Sequence, residues 1–175
     1  MKNTVLLIVD VQNSLVNDNP YGKNLMIENI TSLINLCRKE SIEIIYVRHN
    51  DPEDEDFKLN SPGWNIYSDI APDQGDMIFD KCYNSAFKDT GLKNYLDSKG
   101  IKNIILVGMQ TEYCIDATCK VAFEYGYNIL LPENSITTFD SDYLTADKLN
   151  KFYYEEIWNG RYGKVIPLSD VQKFL

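Results

Sequence analysis

Short runs rich in β-branched residues recur along the chain, and segments with apolar residues at helical spacing lie between several of them. The runs predict six strands, at residues 4–9, 42–47, 77–79, 103–107, 127–131 and 164–166. Strands that alternate with helices favour a mainly parallel sheet with helices on both faces, because each crossover must return over the sheet. The pattern therefore predicts one three-layer α/β/α domain spanning residues 1–175.

Four segments carry their apolar residues on one helical face. Thr90 is placed to cap the second helix and Gly100 to end it, while the third is predicted from Glu112 to Tyr125 with Gly126 as its stop. The four predicted helices would cover the two sides of the sheet with these apolar faces. The inward positions are Met26, Ile30, Leu33, Ile34 and Cys37 in the first helix, Leu92, Tyr95 and Leu96 in the second, Ile115, Thr118, Val121, Ala122 and Tyr125 in the third, and Leu149, Phe152, Tyr153 and Trp158 in the fourth.

Charge and cysteine usage narrow the partners and the compartment. The 175 residues include 26 Asp and Glu against 17 Lys and Arg, with no Lys/Arg-rich block, so no nucleic-acid partner is expected. The apolar run at residues 5–9 is interrupted by Asp10 well short of a signal-peptide core or a spanning helix, so we expect a cytoplasmic protein with no membrane partner. Four cysteines at irregular spacing predict free thiols rather than disulfides.

The composition changes only between His49 and Gly75, where acidic residues cluster beside three prolines. A connection of this length without an obvious pattern is either a functional lid or a mobile surface loop. The acidic run itself, with five carboxylates between residues 51 and 56, favours a solvated loop face.

Three residues with reactive side chains follow predicted strands: Asp10 after the first, Lys81 after the third and Cys114 after the fourth. Ligands of open α/β sheets bind beyond the carboxyl ends of the strands, so these side chains are expected to meet. Taken alone, each has a structural explanation, as a cap, a surface charge or a small buried residue. Together they predict a nucleophilic thiol, because a helix start and the Lys81 cation both stabilise a thiolate. We expect these two influences to outweigh the opposing charge of Asp10, which would accept the thiol proton.

Three ordered blocks carry a resemblance to a known family. The blocks are LLIVDVQNSL around Asp10, FDKCYNSAFKDTGL around Lys81 and VGMQTEYCIDATCKVAFEYGY around Cys114. Over nearly its whole length the chain resembles the isochorismatase-like cysteine hydrolases, which include nicotinamidases, N-carbamoylsarcosine amidases and ureidoacrylate hydrolases. The resemblance implies that Asp10, Lys81 and Cys114 form a catalytic triad.

The resemblance also implies how the sheet and the nucleophile loop are built. It implies a strand order of 3-2-1-4-5-6, a cis peptide bond from Met109 to Gln110, and an oxyanion hole formed by the backbone amides of Gln110 and Cys114. The implied reaction is hydrolysis of a small amide or carbamoyl C–N bond through a thioester on Cys114, with Asp10 moving the proton and Lys81 holding both groups in register. No cofactor is implied, and the family commonly forms homodimers or homotetramers.

One departure from the family concerns metal. Nicotinamidases carry a metal site built from an Asp and several His after the second strand, whereas this chain has a single histidine, His49. A multi-His metal site is therefore impossible, and no metal site is predicted. Two interpretations of His49 stay open: weak ion binding together with Asp51, or a hydrogen-bonded position at the strand end. Members that hydrolyse isochorismate lack the nucleophilic cysteine, so Cys114 favours chemistry on a C–N bond.

Five further residues are candidates for contact with a small-molecule amide substrate. Gln12 lies two positions after Asp10, where it either orients that carboxylate or a water or merely caps a turn. The other four are aromatic residues that form either pocket walls or core. They are Trp64, Tyr83, Phe87 and Tyr113.

Two alternatives from other functional classes stay open. A flavodoxin-like FMN carrier is similarly small, acidic and doubly wound, but it needs a Gly- and hydroxyl-rich phosphate loop after the first strand. Here residues 10–14 read DVQNS, and the first glycine is Gly22. The other alternative is a catalytically idle family member that serves as a binding or assembly module; the three filled triad positions argue against it.

Overall fold

Seven parallel strands form one open sheet in the computed structural model, which describes residues 3–175; residues 1 and 2 of the predicted domain lie outside that part. The path through the sheet is β3-β2-β1-β4-β5-β7, and the short β6 pairs with the last two residues of β4. The predicted order is confirmed, with β7 as its sixth strand, while β6 is an addition that the sequence pattern does not predict. The strands are β1 (Thr4–Val9), β2 (Glu43–His49), β3 (Met77–Lys81), β4 (Asn103–Met109), β5 (Asn128–Pro132), β6 (Ile136–Thr137) and β7 (Lys164–Ile166).

Five α-helices and four 3-10 or π-helical turns accompany these strands within residues 3–175. The helices are α1 (Asn13–Asn17), α2 (Lys23–Lys39), α3 (Leu92–Ser98), α4 (Asp116–Glu124) and α5 (Ala146–Phe152). The turns are 3-10 at Ser68–Ile70 and Leu168–Phe174, and π-helical at Thr111–Ile115 and Tyr153–Trp158. In this described part of the chain, none of the helices is long and apolar enough to cross a membrane.

The sheet is buried on both faces because successive residues of a strand point to opposite sides. In β1, Val5, Leu7 and Val9 belong to the core under α3 and α4. Leu6 and Ile8 belong to the core under α2. Such continuously apolar strands are those of a parallel sheet covered on both sides, so the three-layer prediction is confirmed.

The predicted stops of the second and third helices are confirmed. Gly100 and Gly126 both have positive φ just after α3 and α4. The start of α3 differs in detail, because Gly91 occupies the N-cap position. Thr90 still contributes from one position further out, since its Oγ1 accepts a hydrogen bond from the amide of Leu92 at 3.2 Å.

Two aromatic residues predicted to face inward are exposed instead. Tyr125 follows the last turn of α4 with 51% of its surface exposed, and Phe152 ends α5 with 48% exposed. Each contacts another ring edge-on, Tyr125 with Phe87 and Phe152 with Tyr153. The regular α-helix ends at both positions, where the helical spacing no longer fixes the face on which a side chain lies.

The long connection between β2 and β3 has two distinct parts. The second part, around Gly63 and Tyr67, is bonded to the chain that follows β1. The amide of Ser14 donates to the carbonyl of Gly63 at 3.0 Å, and the amide of Tyr67 donates to the carbonyl of Val11 at 3.0 Å. Residues 52–56 are exposed, as the acidic run predicts. The second part therefore packs against the edge of the sheet where β1 ends, and the acidic part lies in solvent.

Gly108 is a position at which a side chain would disrupt the sheet. It pairs with Val9 of β1 at a φ of 122°, and a Cβ there would lie 2.0 Å from the carbonyl oxygen of Val9. We predict that Gly108→Ala lowers the free energy of unfolding by about 3 kcal/mol or more, or prevents folding.

Gly100→Ala is the matched control for this prediction. Gly100 also has positive φ, but within residues 3–175 no other group would meet its Cβ within 4 Å. This variant should cost only about 1–2 kcal/mol. Urea unfolding of both variants makes the comparison, and equal losses would show that the close approach of β1 and β4 is not the constraint at Gly108.

Candidate active site

Four neighbouring strands each bring one polar or reactive side chain to the same edge of the sheet. Asp10 follows β1, His49 ends β2, Lys81 ends β3, and Cys114 lies in the turn after β4. Because these strands are parallel and adjacent in the order β3-β2-β1-β4, their carboxyl ends lie side by side. The structure thus brings together the three residues predicted from the sequence, with His49 on the strand between those of Lys81 and Asp10.

Lys81 is the centre of this cluster. Its Nζ lies 2.6 Å from Oδ2 of Asp10, 3.2 Å from Sγ of Cys114 and 3.3 Å from Nδ1 of His49. The side chains of Lys81 and Asp10 are 0% and 1% exposed. A buried ammonium needs acceptors for its donors, and these three groups supply them.

Asp10 is held by its backbone as well as by Lys81. Its φ is 54°, a left-handed conformation that aspartate adopts more readily than most residues, and its amide donates to the carbonyl of Val47 at 2.9 Å. Oδ2 faces Lys81, whereas Oδ1 is buried and has no hydrogen-bond partner in the described chain. The second oxygen is therefore available to accept a proton.

Cys114 lies in the π-helical turn that joins β4 to α4. Three side-chain hydrogen bonds anchor this turn and the start of α4 to neighbouring segments. They run from Thr111 Oγ1 to Asn150 Oδ1 at 2.5 Å, from Thr138 Oγ1 to Glu112 Oε1 at 2.9 Å and from Trp158 Nε1 to Asp116 Oδ1 at 3.0 Å. The position of the thiol is thus fixed from α5, from the segment that follows α5 and from the chain after β6.

The backbone before the thiol has an unusual geometry. The Met109–Gln110 peptide bond is cis, and Gln110 is extended before the helical turn begins. The amide of Ile115 donates to the carbonyl of Gln110 at 3.1 Å. Amide groups in a first helical turn point toward the helix N-terminus, where they can bind an anionic oxygen.

The thiol of Cys114 keeps its proton. Burial, followed by the negative charge of Asp10, raises the pKa of Cys114 to about 12, and the opposing charge of Lys81 does not offset them. Lys81 does favour the thiolate, as predicted, but the prediction that its charge and the helix start outweigh the opposing influences is wrong, because desolvation is the stronger effect. A protonated thiol needs a base when it attacks, and Asp10 is the carboxylate beside it.

The charges of Lys81 and His49 depend on the same contacts. Burial alone would lower the pKa of Lys81, but its interactions with Asp10 and Cys114 together raise that pKa above its ordinary value. Burial lowers the pKa of His49, and the charge of Lys81 lowers it further. At neutral pH the cluster therefore contains a cationic Lys81 beside a neutral His49.

Gln12 is completely buried, and both ends of its amide are engaged by the backbone. Nε2 donates to the carbonyls of His49 at 2.9 Å and Trp64 at 2.8 Å, and Oε1 accepts from the amide of His49 at 2.7 Å. These bonds take the place of the predicted contact with Asp10, a water or the substrate. Gln12 fixes the end of β2 instead.

Two aromatic candidates are buried. Phe87 stacks on Tyr127, which directly precedes β5 at the opposite edge of the sheet, so Phe87 is a core residue rather than a pocket wall. Trp64 lies under the guanidinium of Arg48, which is 3.6 Å from the ring centroid. Its indole N–H is buried and has no acceptor among residues 3–175, so Trp64 stays a candidate for substrate contact.

The other two aromatic candidates are exposed. Tyr83 is 48% exposed and has Nζ of Lys88 4.3 Å from its ring centroid. Tyr113 is 53% exposed and directly precedes Cys114. Their substrate contacts stay predictions.

All four cysteines are free thiols, as predicted. Cys37 and Cys119 are buried, and burial raises the pKa of each to about 12, whereas Cys82 is exposed. Across the described residues, no group of three or more His, Cys, Asp or Glu side chains is arranged to hold a metal ion. Nδ1 of His49 faces Lys81, which occupies that nitrogen.

A cavity of about 460 Å³ opens elsewhere, between α2 and α5. Its walls come from those two helices, the chain around β6, β7 and the π-helical turn after α5, and none of the four cluster residues borders it. It is separate from the candidate active site.

His49 is the member of the cluster whose contact the sequence does not predict. The strand-end rule that selects Asp10, Lys81 and Cys114 applies equally to His49. The register of β2 and β3 then places His49 opposite Lys81. His49 and Lys81 each lie two positions after the predicted end of their strands, and this shared spacing would have been the signal.

Comparisons with known proteins show which family the chain resembles. The isochorismatase domain model matches residues 4–155. A secreted isochorismatase effector, Isc1 of Verticillium dahliae, is 25% identical over 173 residues, covering 97% of this chain and 90% of the relative. Nicotinamidase 3 of Arabidopsis thaliana is 26% identical over 163 residues, covering 85% and 80%. A crystal structure of an isochorismatase family protein superposes with a TM-score of 0.87 at 26% identity, covering 95% of this chain and 99% of that one.

The family model spans both the strand that leads to Asp10 and the turn that carries Cys114. It covers most of the chain, and the chain therefore belongs to the isochorismatase family.

Proposed function

We propose that this isochorismatase-family hydrolase cleaves a small amide or carbamoyl C–N bond through a thioester on Cys114. The observation that carries the proposal is the contact of buried Lys81 with both the Asp10 carboxylate and the Cys114 thiol. Buried titratable groups with shifted pKa values cluster at active sites. An amide substrate is suggested by relatives that include nicotinamidase 3.

In the first half of the proposed reaction, Asp10 takes the proton from Sγ as the sulfur attacks the carbonyl carbon. An S–C bond forms, and the carbonyl oxygen becomes an anion that accepts hydrogen bonds from the backbone amides of Gln110 and Cys114. Oδ1 of Asp10, which lacks a partner in the described chain, is the atom that takes the proton. The C–N bond then breaks, and the leaving nitrogen receives the proton from Asp10.

In the second half, Asp10 takes a proton from a water as the water oxygen attacks the thioester. The C–S bond breaks, the acid or carbamate leaves, and the proton returns to Sγ. Lys81 keeps its charge throughout, so it holds Oδ2 of Asp10 while Oδ1 carries the proton, and it stabilises the sulfur whenever the sulfur is negative.

An amidase fits the cluster better than the two alternatives. The flavodoxin-like alternative no longer applies, because the chain belongs to a different family. An idle binding module needs no base, cation and nucleophile in mutual contact. Turnover of a panel of small primary amides and carbamoyl compounds tests the proposal, and no turnover of any of them would favour the idle module.

We also propose that the chain acts as a homodimer or homotetramer in the cytosol. The family resemblance supports this, because isochorismatase-like hydrolases commonly form such assemblies. Four free thiols fit a reducing compartment. Light scattering of the purified protein measures the subunit number, and a monomer would contradict the first of these statements.

Cys114→Ser is expected to lower kcat/KM for amide hydrolysis by at least about a thousandfold, because a hydroxyl is a much weaker nucleophile than a thiol. Product release is measured beside thermal unfolding, which should not change. Cys82→Ser is the matched control, because Cys82 is the exposed thiol next to Lys81 in the chain. A comparable loss in that variant would mean that Cys114 is not the nucleophile.

Asp10 and Lys81 should have opposite effects on the reactivity of the thiol. Asp10→Asn removes a charge that raises the pKa of Cys114, so iodoacetamide should label Cys114 faster at a given pH although turnover is lost. Lys81→Met removes a charge that lowers this pKa, so labelling should slow. Peptide mass mapping against pH, with exposed Cys82 as internal reference, measures both rates. Wild-type rates in both variants would exclude these electrostatic contacts.

A further inference from the structure

We propose that His49 is a positioning residue whose neutral imidazole accepts a hydrogen bond from Lys81 and keeps the ammonium aimed at Asp10 and Cys114. The catalytic part of this inference rests on the proposed function. His49 itself contacts neither the thiol nor the carboxylate in this role; it acts through Lys81.

The geometry assigns each donor of Lys81 one acceptor. An ammonium has three N–H donors and no acceptor. The three groups around Nζ are Oδ2 of Asp10 at 2.6 Å, Sγ of Cys114 at 3.2 Å and Nδ1 of His49 at 3.3 Å. Because Lys81 can only donate, Nδ1 must carry a lone pair, and the imidazole proton is on Nε2. Removing His49 leaves one N–H donor of Lys81 without an acceptor in a buried site. This is unfavourable, so the ammonium is expected to rotate away from Asp10 and Cys114.

The imidazole is held rigidly enough to serve as a fixed acceptor. Gln12 bonds the backbone of His49 on both sides, accepting from its amide at 2.7 Å and donating to its carbonyl at 2.9 Å. The ring lies edge-on against Phe57 with centroids 5.7 Å apart. The β2–β3 register sets His49 directly beside Lys81. Gln12 therefore acts on Lys81 only indirectly, by holding the backbone of His49.

The charged groups that face His49 come from three directions. Lys81 approaches from β3, Asp10 from the end of β1, and Asp51 and Asp54 from the loop after β2. Burial and then Lys81 lower the pKa of His49, and the three carboxylates oppose them. His49 therefore stays neutral to a lower pH than an ordinary histidine.

Protonation of His49 would break the contact. Imidazolium carries a proton on Nδ1, which would place two donors and two positive charges face to face at 3.3 Å. The folded protein should therefore lose turnover on the acid side as His49 becomes charged. The loss should appear in kcat rather than in KM, because the ammonium orients the reacting groups and not the bound substrate.

Imidazole NMR tests the contact without any substrate, because His49 is the only histidine in the chain. Nitrogen-15 spectra of the wild type should show the Nε2–H tautomer and a pKa below the ordinary value. In Lys81→Met the pKa of His49 should rise, since a cation that lowers it is gone. A proton on Nδ1 at neutral pH, or an unchanged pKa in Lys81→Met, would overturn the assignment.

Two substitutions at His49 separate an acceptor from a filler of space. Phenylalanine keeps a ring without an acceptor, whereas the side-chain oxygen of asparagine can take the place of Nδ1. We expect His49→Phe to lower kcat about 10- to 100-fold, which corresponds to the loss of one hydrogen bond to a charged group. His49→Asn should lose clearly less of its kcat. The acid side of its pH profile of kcat should no longer contain the titration seen for His49 by NMR. Equal loss in the two folded variants, or no loss in His49→Phe, would overturn the positioning role.

Alkylation of Cys114 distinguishes failure of this inference from failure of the proposed function. If Lys81 is misdirected in His49→Phe, its effect on the thiol weakens, and iodoacetamide should label Cys114 more slowly than in the wild type and in His49→Asn. This measurement requires no turnover. An enzyme that hydrolyses no amide but shows this order of labelling would retain the His49 assignment and lose the amidase proposal. Equal labelling in all three proteins would overturn the His49 assignment whatever the substrate.

Discussion

The buried ion pair between Asp10 and Lys81 is the interaction on which the site depends. Both side chains are almost fully removed from water, so their charges must be satisfied inside the protein. Removing one partner of such a pair commonly costs about 3–5 kcal/mol, because the other is left buried and unpaired. The pair joins the ends of β1 and β3 across β2, which lies between them in the sheet. His49 and Cys114 accept hydrogen bonds from the other two N–H groups of Lys81. Oδ1 of Asp10 has no partner in the described chain and is available to accept a proton.

The environment of Cys114 favours a thiol that loses its proton only during attack. It disfavours a thiolate that is already present before the substrate binds. Burial and Asp10 raise the pKa of Cys114 to about 12, and Lys81 opposes them. A resting thiolate beside Asp10 would place two negative charges around one ammonium in a dry site. In the proposed mechanism, keeping the proton on sulfur until the substrate binds avoids this repulsion and gives Asp10 the role of a base. Under that mechanism, reactivity toward general electrophiles and turnover of the substrate are distinct properties of this cysteine.

Sequence patterns predict the parts of the fold that follow from local periodicity. The mainly parallel sheet follows from strands that alternate with helices, and the meeting of Asp10, Lys81 and Cys114 follows from the rule that sites form at carboxyl strand ends. The order of the strands is implied by the family resemblance and not by this pattern. The strand at Ile136–Thr137 is too short to show the residue pattern from which strands are predicted. Tyr125 is assigned the wrong face because it lies at the end of the helix, where the helical spacing no longer fixes the direction of the side chain.

The interior of the site required the tertiary structure. Gln12 and His49 are 37 positions apart in the chain, and the contact of Gln12 with the His49 backbone gives no local pattern. The balance of burial against charge at Cys114 likewise depends on the completed packing.

The proposed mechanism requires that Cys114 carries the acyl or carbamoyl group during turnover. Rapid-quench mass spectrometry of the wild-type protein mixed with a hydrolysed amide tests it most directly. We predict a transient adduct of the mass of the substrate minus its amine, mapped to Cys114. Turnover with no such adduct, or with the group on another residue, would contradict the account.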